Sequence, residues 1–284
     1  MDLIIGTWSF CFDAIRQKEE LYRSETSCLD AVENTINQIE GDERYGPCIV
    51  GRGGPPNSAG YREYDAAIMD GRTLKFGAVT ALSGDYNLAD HHKMLTGEGA
   101  GQFALENGFR AECETPHQSK PVRNFGENDS KSHDTLGLIA LRQKGSEIAV
   151  GVSTSGAPGK HPGRVGDSAL PGGGLYANAH GAACCSGDGD EILKFCPSFH
   201  IVHLISQGMV PEEACKEVVQ KIYNQNNQLE IALIAADIKG NYGACSTVRS
   251  WNDPLTQKHY EGFPYVLWTK DMTCPEIQLA PTVS

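Results

Sequence analysis

His133-Asp134-Thr135-Leu136-Gly137-Leu138 lies where a polar run of the chain gives way to an apolar one. Upstream, residues 107–133 include Pro116, Pro121 and Gly126 and few apolar side chains, a composition that predicts an exposed loop or linker. Downstream, residues 136–141 and 148–153 read as two strands joined by a turn around Gly145. A threonine at such a seam can become a chain terminus. Its hydroxyl is a poor nucleophile while its nitrogen sits in an amide. Once freed, an α-amine with a pKa of about 8 can take the hydroxyl proton, and no distant histidine is required.

Outward from that seam the pattern predicts layers. Residues 3–5 form a short buried strand ending at Gly6, and Leu29, Val32, Ile36 and Ile39 recur at helical spacing behind a cap at Thr26 or Ser27. Gly53-Gly54-Pro55-Pro56 marks a turn-rich loop over 51–60. Asp70-Gly71 separates two apolar runs as a hairpin dipeptide does. A further strand pair is expected at 231–236 and 242–247. Helices are expected at 195–207, with Phe199, Val202 and Ile205 on one face, and at 211–222, with Pro211 in the first helical position. Strand pairs interleaved with helices imply two sheets packed together with helices outside.

Composition narrows the function. The 284 residues carry a formal charge of −12, with no basic run interleaved with aromatics, so nucleic acid is not an expected partner. The apolar runs are strand-sized, so no membrane span is expected. The first fifteen residues, MDLIIGTWSFCFDAI, have no basic segment ahead of an apolar one and do not read as a secretory signal. Ten cysteines show no zinc-ligand spacing, and the neighbours Cys184 and Cys185 suggest core packing more than a bridge. Asn128-Asp129-Ser130 is a glycosylation sequon that matters only on a secretory route, and His91-His92 reads as a surface pair. Thr154 stands where a phosphate loop ending at Gly159-Lys160 needs glycine. Gln102 stands where the dinucleotide fingerprint beginning Gly97-Glu98-Gly99 needs its third. Neither a serine-hydrolase elbow nor a zinc-protease helix motif is present.

The densest chemistry lies in residues 151–190, GVSTSGAPGKHPGRVGDSALPGGGLYANAHGAACCSGDGD, where small residues permit close backbone approach and Arg164, Asp167 and Asp190 supply charge. On composition alone these are turns between sheets. Arg164 and Asp167 suit an amino-acid ligand, since a guanidinium clamps a carboxylate in two-pronged fashion and an aspartate attracts an ammonium. As a purely structural alternative they form an ion pair with each other.

Together with HDTLGL, the ordered strings GTWSF (6–10), LDAVE (29–33), AAIMDG (66–71), STSG (153–156), HPGRVGDS (161–168) and PGGGLYA followed by CSGDGD resemble the glycosylasparaginases of the N-terminal nucleophile hydrolase superfamily. The likeness runs over nearly the whole chain. It implies an α+β fold, a four-layer αββα sandwich in a single domain. It also implies self-cleavage by an N-to-O acyl shift between Asp134 and Thr135 into pieces 1–134 and 135–284.

By the same resemblance Thr135 attacks the side-chain amide of a glycosylated asparagine, with Thr154 hydrogen-bonded to the nucleophile. Ser186 and Gly187 align with an oxyanion-hole Thr-Gly pair, Arg164 and Asp167 with the residues that hold the substrate's α-carboxylate and α-ammonium, and Trp8 with an aromatic at the pocket mouth. Trp8 is equally compatible with plain core. The resemblance calls for no cofactor and no metal, and implies a homodimer of cleaved protomers and residence in the lysosome, with the cytoplasm as the alternative. Pro55 stands where the family usually has a serine, and the segment between Val79 and Gly97 is shorter than its counterpart. Two other readings stay open: a β-aspartyl peptidase or asparaginase of the same superfamily, and a catalytically impaired homologue.

Overall fold

The computed structural model describes residues 1–48, 50–83, 94–106 and 135–283. The expected linker at 107–133, the sequon, the pair His91-His92 and Asp134 lie outside the described residues.

The first part of the chain contributes β1 (Leu3–Thr7), α1 (Phe12–Gln17), α2 (Glu19–Arg23), α3 (Cys28–Glu40), β2 (Tyr64–Asp70), β3 (Phe76–Leu82), β4 (Leu95–Thr96) and α4 (Gly97–Glu106). From residue 135 follow β5 (Leu136–Arg142), β6 (Glu147–Thr154), β7 (Leu175–Asn178), β8 (Gly181–Gly187), α5 (Gly189–Ile192), α6 (Pro197–Ser206) and α7 (Pro211–Gln225). The chain finishes with β9 (Ile231–Asp237), β10 (Tyr242–Ser246), β11 (Trp251–Asn252), β12 (His259–Tyr260), β13 (Pro264–Thr269) and β14 (Glu276–Leu279). An eight-stranded sheet has the order β14-β13-β1-β5-β6-β2-β3-β4, and a four-stranded sheet the order β10-β9-β8-β7. All of these pairings are antiparallel except β3 with β4.

The large sheet carries α3 on its outer face. Ser27 caps the helix, its Oγ accepting from Asp30 N at 3.1 Å, a contact that stabilises by about 1 kcal/mol. The stripe of Ala31, Val32, Ile36 and Ile39 turns inward. Gly151 on β6 lets the helix lie close, since a Cβ there would sit 2.5 Å from Val32 Cγ1. The small sheet is covered by α6 and α7. Pro211 opens α7 because its missing N–H is one of the donors a helix start leaves unpaired, and Ala214, Val218 and Ile222 are buried beneath it.

Between the sheets the second half of the chain alternates faces as strands do. Ala182 and Cys184 on β8 join the core between the sheets, whereas Ala183 and Cys185 face the helices. Likewise Ile234 lies in the inter-sheet core and Leu233 and Ala235 under α6 and α7. Burial on both faces explains why β9 reads as one continuous apolar run. The architecture is therefore helix, sheet, sheet, helix: the α+β four-layer arrangement the sequence implies.

Three differences from the sequence pattern have physical causes. Residues 175–187 form β7 and β8 although their composition suggests turns, because strand packing between two covering layers here selects Ala, Cys and Gly over β-branched residues. The helix expected from 195 begins at Pro197, since Cys196 is left-handed at φ 46°. Phe199, at 47 % exposure, leaves the buried stripe of Ile201, Val202 and Ile205 and packs its ring edge-on to Tyr176 with centroids 5.1 Å apart. All nine described cysteines are free thiols, Cys184 and Cys185 among them.

Candidate active site

Thr135 immediately precedes β5 and is buried, at 7 % exposure. Its N–H donates to Ser186 Oγ at 3.0 Å. Its carbonyl accepts from Thr7 Oγ1 at 2.8 Å, and the same Thr7 oxygen accepts from Gly137 N at 2.7 Å. One hydroxyl at the end of β1 thus fixes the backbone on both sides of Leu136. The antiparallel pairing of β1 with β5, with Gly6 opposite Leu138, brings Thr7 there.

Ser186 comes from the other sheet. Gly137 makes the approach possible, since a Cβ on it would lie 2.5 Å from Cys184 Sγ. The Ser186 oxygen also accepts from Trp8 Nε1 at 3.0 Å. Trp8 is 3 % exposed, a buried residue and not an open rim. Its ring lies against Trp251 at 5.0 Å and edge-on to Phe263 at 4.8 Å. Its backbone has φ 61°, a strained value for a bulky side chain that this packing and the indole bond to Ser186 hold in place.

Gly187 follows in β8 at φ 148°, and a Cβ there would stand 2.3 Å from Glu230 O, so the position demands glycine. Thr154 ends β6. The register sets Leu136, the residue after Thr135, opposite Ser153, the residue before Thr154. Thr154 Oγ1 accepts from Gly156 N at 3.0 Å, closing the turn that leaves the strand. The 51–60 loop meets this turn through Ser155, whose Oγ donates to Gly51 O at 3.2 Å; Pro55 itself brings no hydroxyl.

Arg164 and Asp167 do not pair with each other, which corrects the ion-pair alternative. Arg164 Nε donates to Asp190 Oδ1 at 3.0 Å, side-on, and its Nη fork has no partner among the described residues. Asp167 Oδ2 accepts from the Cys185 thiol at 3.2 Å. Burial pushes the Asp167 carboxyl up to about 6. Burial also raises the Cys185 thiol far above its ordinary value, so it stays a protonated donor. Gly189 packs directly on this carboxylate, a Cβ there being 2.7 Å from Asp167 Oδ1.

The stretch 185–190 therefore gathers the site: Cys185 touches Asp167, Ser186 touches Thr135 and Trp8, and Asp190 touches Arg164. Thr7 and Cys185 escaped the sequence reading. Thr7 stands inside the GTWSF string, and its role depends on a strand pairing 128 residues distant in sequence. Cys185 gave no signal beyond its neighbour. Asp134 lies outside the described residues. Among the described residues no three His, Cys, Asp or Glu side chains are grouped to hold a metal ion.

A family model described as Asparaginase matches residues 8–259. The chain is 32 % identical over 292 residues to the N(4)-(beta-N-acetylglucosaminyl)-L-asparaginase of Rattus norvegicus, covering 86 % of this chain and 84 % of the relative. It is 34 % identical to the enzyme of the same name from Mus musculus, over 86 % of this chain and 84 % of that one. To the one from Elizabethkingia miricola it is also 34 % identical, over 85 % of this chain and 77 % of the relative.

Proposed function

The chain belongs to the asparaginase family, and on that footing we propose that it hydrolyses the side-chain amide of N-glycosylated asparagine. In this reading Thr135 is the nucleophile, released by self-cleavage after Asp134. The supporting observation is the convergence of Thr135 N and Trp8 Nε1 on one serine oxygen, each at 3.0 Å, next to a glycine whose backbone is held in a conformation other residues avoid.

Freed by cleavage, the Thr135 α-amine takes the proton from Oγ1 as that oxygen attacks the substrate's amide carbon. The Ser186 hydroxyl and the Gly187 N–H stabilise the oxyanion that develops. Collapse breaks the C–N bond, and the proton passes to the departing glycosylamine. Water then cleaves the threonyl ester, releasing aspartate and restoring the hydroxyl. Thr154, at the end of the strand that pairs with β5, orients the nucleophile.

The amino-acid end is read by charge. The Nη fork of Arg164 is left open by its side-on bond to Asp190 and takes the α-carboxylate, while Asp167 takes the α-ammonium. Arg164→Ala is expected to raise KM for glycosylated asparagine by about 10- to 100-fold, with a smaller effect on kcat, because the lost interaction is present before and during reaction. Steady-state kinetics checks this, and an unchanged KM removes Arg164 from the site.

The raised Asp167 carboxyl adds a pH dependence. Below about 6 the free protein carries it neutral, and a neutral acid does not attract an ammonium. Accordingly kcat/KM, which reports groups of the free enzyme, is expected to fall as pH drops through about 6, and Asp167→Asn to remove that limb together with most of the binding. A dimer of cleaved protomers, read as mass by light scattering, and lysosomal residence belong to the same proposal. Among the described residues no helix is long and apolar enough to cross a membrane.

A further inference from the structure

Behind the site sits a buried charge pair that the proposed reaction does not use. Lys160 Nζ lies 3.8 Å from Asp65 Oδ2, and their side chains are 2 % and 1 % exposed. Taking both charges out of water carries a large desolvation cost that their attraction must offset. Burial accordingly pushes the Lys160 ammonium down and the Asp65 carboxyl up from their ordinary values. The core alone has no need of such a pair.

What the pair touches is informative. Asp65 lies opposite Thr154 in the register of β2 with β6. The pairing of β2 with β3 is irregular between Tyr64 and Ala66, and Ala81, at φ 47°, donates its N–H to Asp65 Oδ1 at 2.8 Å. Bulged, strained backbone of this kind aims a side chain. The Lys160 stem crosses Gly156, the residue bonded to Thr154 Oγ1, and its ammonium donates to Glu63 O at 3.0 Å. The Glu63 carboxylate in turn accepts from Gly163 N at 3.0 and 3.1 Å, one residue before Arg164. Residues 63–65 therefore grip the 154–164 loop at both ends.

We propose that the Lys160–Asp65 pair, with Glu63, is the positioning element of the substrate-binding loop, fixing Arg164 relative to Thr154 so that the α-carboxylate and the scissile amide are read at one spacing. The inference rests on the function proposed above. Lys160 is here a positioning residue: its effect reaches the ligand through Arg164.

The test compares binding of L-aspartate with binding of its α-carboxamide by calorimetry, in wild-type protein and in Lys160→Met/Asp65→Asn, which removes both charges at once and leaves neither buried alone. Wild type is expected to prefer the carboxylate by about tenfold or more, and the folded double variant to lose most of that preference. Glu63→Gln, which keeps shape but weakens the acceptor of Gly163, is expected to lose part of it. Either variant, folded and with the wild-type preference, overturns the proposal, as does an equal loss of affinity for both ligands. A wild-type protein without any preference overturns the reading of Arg164, and this inference with it.

Discussion

Thr135→Ala is expected to yield one uncut chain and to lose hydrolysis of glycosylated asparagine by about four to six orders of magnitude, the scale seen when a nucleophile acting within a unit is deleted. The substitution is clean in structural terms. The bonds that hold residue 135, its N–H to Ser186 Oγ and its carbonyl to Thr7 Oγ1, are made by backbone atoms and survive in alanine. Only the hydroxyl and a methyl leave. Thr135→Ser keeps the hydroxyl and is expected to retain both cleavage and turnover at reduced rate. Mass spectrometry and a turnover assay on the three proteins check both statements together. An active, uncut Thr135→Ala protein contradicts the assignment.

The second large effect is expected at Ser186. Its oxygen accepts from Thr135 N and from the indole of Trp8, so Ser186→Ala leaves two buried donors without this acceptor and removes the proposed oxyanion donor. Loss of one such donor costs about 10²- to 10³-fold in kcat. The unpaired indole N–H adds a stability loss of about 1–3 kcal/mol. Ser186→Thr restores the hydroxyl and is expected to stay within about tenfold of wild type, since a methyl group is all that changes. Single-turnover kinetics separates the chemical step from binding. A Ser186→Ala protein with wild-type kcat shows that the charge develops elsewhere.

Much of the fold is legible wherever periodicity and caps agree. The α3 stripe with Ser27 at its cap, the hairpin around Asp70, the β5–β6 pair and α7 with Pro211 at its start all stand in the sequence as they stand in the fold. What was hidden is β8, built of Gly, Ala, Cys and Ser, because a strand packed between layers on both faces need carry no β-branched residue and shows no alternation of polar with apolar. The strands from residue 251 onward carry no such signal either, although β13 pairs with β1 and β14 with β13 at the edge of the large sheet.

At the site, the residue types of Arg164 and Asp167 announced an amino-acid ligand, but their partners did not follow from spacing. Three residues apart in sequence, they bond instead to Asp190 and Cys185, partners supplied by β8 and the turn after it. Thr7 was invisible for the same reason: a hydroxyl that fixes residues 135–137 does so through the pairing of β1 with β5, which no local pattern encodes.

Self-cleavage before Thr135 is tested most directly by the intact mass of the purified wild-type protein with N-terminal sequencing of its fragments. Two pieces are expected, the second beginning Thr-Leu-Gly-Leu at residue 135. A single uncut chain that still hydrolyses glycosylated asparagine would contradict it, since Thr135 would then have no free α-amine to serve as its base.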